Sequence, residues 1–84
     1  MTNNFMKVGG LYRTNVTIFA YDKDPYASRK KFKFKPITLE DIFVILDFSP
    51  SKNKSNLLFV KILLKDEIKF LFVVENNLIE VKEN

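Results

Sequence analysis

Between residues 41 and 81 the chain carries three runs of β-branched, aliphatic and aromatic residues separated by short polar breaks, and that succession constrains it to an antiparallel sheet. The runs cover residues 42–48, 57–64 and 68–74, each of strand length and each suited to a pleated, half-buried surface. No stretch shows the three-to-four spacing of a long amphipathic helix. An all-β fold follows. With 84 residues there is room for one core, so residues 1–84 read as a single domain, with residues 1–10 a polar lead and 11–82 a small barrel.

The N-terminal half supplies the remaining strands. Gly9-Gly10 reads as a flexible lead into a first strand over residues 11–20, whose even positions (Tyr12, Thr14, Val16, Ile18, Ala20) form the more apolar face. A polar loop follows over residues 21–28, centred on Asp24-Pro25. In residues 29–35 alternation puts Phe32 and Phe34 on one side of a pleat, expected to face the core, with Lys31, Lys33 and Lys35 on the other. Pro36 is expected to stop the ladder, and Thr38-Leu39-Glu40-Asp41 to form a turn or one helical turn.

The long hairpin can be registered from its own pattern. A three-residue loop, Lys65-Asp66-Glu67, pairs Leu64 with Ile68, Ile62 with Phe70, Val60 with Phe72 and Leu58 with Val74, and sets eight apolar residues on the barrel interior. A two-residue loop would bring Lys69 onto that face, so the longer loop is preferred. In this register Phe43, Ile45, Phe59, Leu63, Leu71 and Val73 line the opposite face, where a solvated sheet should be polar. Either the chain itself covers that face, through the N-terminal segment, the 21–28 loop or the turn at Leu39, or the face is a protein interface.

Chemistry is bounded by inventory. The chain has no His and no Cys, which removes the common general base, the thiol nucleophile and the preferred zinc ligands, so no enzyme activity, metal or cofactor is expected. No serine sits in a Gly-x-Ser-x-Gly elbow, and two adjacent glycines cannot build a phosphate-cradling loop. Asp22 and Asp24 read as turn residues, since a calcium loop would continue with further oxygen ligands; Glu40 and Asp41 read the same way. The lack of cysteine fits a reducing compartment. With neither an apolar leader nor a membrane-length run, a soluble, cytoplasmic protein is expected.

A net charge of +4 concentrates in Arg29, Lys30, Lys31, Lys33 and Lys35, with Lys52 and Lys54 in a later loop. Beside Tyr21 and Tyr26, which could stack on bases, this stretch is a candidate anion or nucleic-acid contact. Lysines on an edge strand also serve simply to block sheet-to-sheet aggregation. The excess of lysine over arginine argues against base readout, leaving weak, salt-sensitive and non-specific binding.

The order of elements resembles an SH3-like small β-barrel over residues 11–82. Phe19-Ala20-Tyr21-Asp22 is similar to the family's Ala-Leu-Tyr-Asp-Tyr segment, Leu39-Glu40-Asp41-Ile42 stands where its diverging turn precedes the second strand, and residues 76–81 match its closing strand. The resemblance implies a five- to six-stranded antiparallel barrel of the kind found in small bacterial and phage proteins, without implying a function. The chain lacks tryptophan, lacks the Pro-Ser-Asn-Tyr that precedes the family's last strand, and has a basic rather than acidic long loop, so a proline-rich peptide groove is not expected. Of the family's ligand residues only Tyr21 has a counterpart. The expectation is a non-catalytic module that binds a protein partner or itself, with nucleic-acid binding through residues 29–35 as the alternative.

Overall fold

The computed structural model of the chain describes residues 6–27, 31, 33–51 and 56–82. The expectations placed on Arg29, Lys30, Phe32, Lys52 and Lys54 lie outside the described residues. Among the described residues seven strands form one antiparallel sheet: β1 (Leu11–Thr14), β2 (Ile18–Tyr21), β3 (Phe34–Ile37), β4 (Phe43–Pro50), β5 (Leu57–Leu64), β6 (Glu67–Val74) and β7 (Leu78–Glu80). A single 3₁₀ turn, Glu75–Asn77, precedes β7. The order across the sheet is β3-β2-β6-β5-β4-β1-β7, curled into a half-barrel whose two free edges are β3 and β7.

The expected first strand is two strands. β1 pairs with β4 and β7, whereas β2 pairs with β3 and β6, so residues 15–17 carry the chain from one end of the sheet to the other. That break raises the strand count above the five or six expected. Gly9 and Gly10 are tethered: the Gly9 amide donates to the Ile45 carbonyl at 2.7 Å and the Ile45 amide to the Gly10 carbonyl at 3.1 Å, docking the lead against β4. Gly9 holds φ +90, a conformation only glycine takes without strain.

Pro36 does not stop the ladder but sits inside β3, opposite Phe19. The Asp22 amide donates to the Lys33 carbonyl at 2.9 Å, so residues 33, 35 and 37 turn their backbone groups toward β2 and residues 34 and 36 turn theirs outward. The missing N–H of Pro36 therefore falls on the free edge, where no ladder bond is lost and an approaching strand finds no donor. The turn expected before β4 is present: the Asp41 carboxylate accepts from the Thr38 amide at 2.9 Å, and the Asp41 amide donates to the Thr38 carbonyl at 3.1 Å.

The β5–β6 hairpin turns on two residues, not three. Lys65 and Asp66 have φ 52 and 67, as a type I′ turn requires. Leu64 then pairs with Glu67, Ile62 with Lys69, Val60 with Leu71 and Leu58 with Val73. Relative to the expected register, every β6 side chain changes face. Lys69 does join the inner face, at its open end, where its side chain is only 13% exposed and its ammonium reaches the Glu67 carboxylate at 3.1 Å; the aliphatic stem packs while the charge stays wet.

The inner face is the core. Tyr12, Ala20, Ile37, Phe43, Ile45, Val60, Ile62, Leu71 and Val73 are buried there, with Met6 added from the lead. This corrects the outer-face assignment for four residues. Phe43, Ile45, Leu71 and Val73, exposed 0–2%, are interior; only Phe59 and Leu63 stay on the outer face. Phe34, expected to face the core, points away from it and is 56% exposed.

Candidate interaction surface

The register that buries Leu71 and Val73 turns Phe70 and Phe72 outward, and the outer face of the sheet becomes aromatic. On β3 and β2, Phe34 and Phe19 meet edge to face at 5.2 Å between ring centroids. Tyr21 continues the row, 6.0 Å from Phe34 and 6.0 Å from Phe72. Phe72 lies 5.0 Å from Phe59, which in turn stacks on Phe70 at 6.0 Å with 10° between the planes. The row runs across four neighbouring strands, β3, β2, β6 and β5, each aromatic standing on the outward side of its pleat.

Part of this row is covered by the chain itself. In the loop after β2, the Asp24 carboxylate accepts from the Tyr26 amide at 2.8 Å and the Asp24 carbonyl from the Ala27 amide at 3.1 Å. That turn lays the Tyr26 ring against Phe59 at 5.0 Å and Phe72 at 5.7 Å, with its hydroxyl 3.4 Å from the Ser51 hydroxyl. The Asp22 carboxylate, at the other end of the loop, accepts from the Lys33 amide at 2.9 Å. Both aspartates act as turn residues.

At the opposite end of the row Phe19 and Phe34 stay more than half exposed, 54% and 56%, on the β2–β3 hairpin beside the free edge. Neither is an expected site residue: alternation along residues 29–35 sends Phe34 to the core, and Phe19 falls on the less apolar face of a single strand over residues 11–20. The sequence signal for both was Pro36: a proline in mid-strand marks an edge, and an edge strand has no second neighbour to cover its outer face.

The structure separates Lys33 and Lys35 from the aromatic candidates that the sequence placed beside them. Lys35 lies opposite Ala20, a core residue, and Lys33 shares its side of the pleat. With Lys69, Glu67 and Asp22 they line a cleft at the open end of the inner face. Tyr21 and Tyr26 belong to the outer face, packed against phenylalanines. Lys33 and Lys35 therefore face the opposite side of the sheet from Tyr21 and Tyr26.

At the other end of the aromatic row, a cleft of about 270 Å³ opens between the 22–27 loop and the outer side of β4, β5 and β6, lined by Asp24, Asp47, Phe48, Ser49, Phe59, Lys61 and Phe70. Asp47 lies opposite Lys61, just past a β-bulge at Leu46. The bulge is what aims the Asp47 and Ser49 side chains outward while Phe43, Ile45 and Phe48 remain on the core side. Among the described residues no three carboxylate, histidine or cysteine groups gather as a metal site, and no helix is long and apolar enough to cross a membrane. Comparison with protein-family models, with curated proteins and with solved structures gave no match.

Proposed function

We propose that the protein is a non-catalytic interaction module that engages a protein partner through the outer aromatic face. The observation that carries this is the Phe19–Phe34 pair, more than half exposed on an edge hairpin and continuous with a row of five further aromatic rings. Large rigid aromatic side chains grouped at a surface are the commonest anchors of protein interfaces. The inventory without His or Cys supports a binding rather than a catalytic role. The three-strand meander, the long loop after β2 and the short closing strand support an SH3-like type of barrel, and a cytoplasmic bacterial or phage setting remains part of this reading. Binding of nucleic acid is the less favoured reading, because a strand stacked on Tyr21 and Tyr26 would lie on the face opposite Lys33 and Lys35.

The test compares the wild-type chain with Phe19→Ser/Phe34→Ser by light scattering and by capture from host extract, with a single-stranded oligonucleotide as control. Self-association or a defined captured protein that is lost in the variant, with the variant still folded by circular dichroism, supports the module. Equal behaviour of the two chains, or a mass shift with the oligonucleotide at low salt only, overturns it.

A further inference from the structure

We infer that the cleft at the Phe59–Phe70 end of the outer face accepts a cationic side chain, an arginine or lysine of the partner protein. The inference rests on the reading of this face as a docking surface and assigns the chemistry of one position in it. Phe59 and Phe70 stack within 10° of parallel and both line the cleft, giving a guanidinium or ammonium an aromatic wall to lie against. Asp24 and Asp47 line the same cleft. Each uses Oδ1 for a backbone amide, Tyr26 at 2.8 Å and Phe48 at 2.9 Å, which fixes the carboxylates and, among the described residues, leaves Oδ2 of each to accept a ligand's N–H. Ser49 adds a hydroxyl.

The charge balance favours a cation. Among the described residues two carboxylates and one ammonium, that of Lys61, line the cleft, and no ion pair joins Lys61 to either carboxylate. In a chain of net charge +4, a fixed acidic pocket with an aromatic wall is a local inversion. Arginine fits it better than lysine, because its planar group stacks on a ring and can donate two parallel bonds at once.

The experiment is an NMR titration of the full chain with N-acetyl-arginine amide, N-acetyl-lysine amide and the neutral N-acetyl-norleucine amide, following Phe59 and Phe70 ring signals. The expected result is saturable shifts with the two cations, strongest with arginine, and none with norleucine. Asp47→Asn, which keeps the acceptor for the Phe48 amide, should weaken arginine binding about threefold, and Lys61→Gln should tighten it by a similar factor. The gain with Lys61→Gln cannot come from misfolding. Equal shifts with norleucine, no shifts at all, or binding indifferent to both substitutions would overturn the inference. The Phe19→Ser/Phe34→Ser variant should bind arginine amide normally, so failure of this cleft and failure of the docking surface are read separately.

Discussion

The Lys69 ammonium stands 3.1 Å from the Glu67 carboxylate two residues away on the same strand, although Lys69 occupies an inward position of β6. This arrangement makes the two-residue turn tolerable. The stem of Lys69 is buried like an aliphatic residue, and its charge leaves through the open end of the half-barrel. Lys69→Met, which keeps the stem and removes only an ion pair at the solvent-exposed strand end, should change stability by less than about 1 kcal/mol, whereas Lys69→Ala, which also removes the stem, should lower it. Urea midpoints at constant m-value distinguish the two.

Asp66 holds φ 67 in the turn, a region that suits glycine and that aspartate tolerates at some cost. Asp66→Gly should stabilise the hairpin by about 1 kcal/mol, seen as a higher thermal midpoint.

Thr14 is fully buried, and its hydroxyl has no hydrogen-bond partner among the described residues. Thr14→Val, similar in shape, should raise stability by about 1 kcal/mol by removing an unsatisfied polar group. A fall in the urea midpoint would mean that the hydroxyl is satisfied in solution.

The assignment of faces predicts a contrast between two phenylalanines. Phe43 is wholly buried, so Phe43→Ala should lose roughly 3–5 kcal/mol, enough to unfold much of a domain this small. Phe19 is largely exposed, and Phe19→Ala should change stability by no more than about 1 kcal/mol. Circular dichroism during urea unfolding checks both.

Gly10 packs where a Cβ would come within 3.0 Å of the Tyr12 ring and 3.1 Å of the Lys7 carbonyl oxygen. Gly10→Ala should therefore loosen the lead from β4, and amide exchange should speed up at Ile45, whose N–H donates to the Gly10 carbonyl.

In the C-terminal half element positions are legible in the sequence and facing is not, whereas in the N-terminal half the break at residues 15–17 and the placing of β3 over Phe34–Ile37 are not legible either. Residues 57–64 were read as a strand and are β5 to the residue, β4 and β6 lie within two residues of expectation, and the turn at Thr38–Asp41 was identified from its composition. These follow from local preference, which β-branched runs and polar breaks express strongly. Which side of β6 is inside depends on one residue in the turn. Ile68, Phe70, Phe72 and Val74 on one side are as apolar as Leu71 and Val73 on the other, so hydrophobic patterning could not choose between them. Placing Lys69 outside was a sound local preference, overridden because the strand end gives its ammonium a route to solvent. The same ambiguity hid the candidate site: with β6 reversed, Phe70 and Phe72 were counted as interior, and the aromatic row could not be seen.

That near-equality of the two sides of β6 gives the Lys65-Asp66 turn a role out of proportion to its size. Drawing Glu67 into it as a third loop residue would evert the strand, carrying Phe70 and Phe72 into the interior and presenting Leu71 and Val73 to solvent, with hydrophobic content almost unchanged. The choice between the two sides is thus made at Lys65 and Asp66, whose left-handed backbone closes the turn on two residues and so sets which side of β6 is buried.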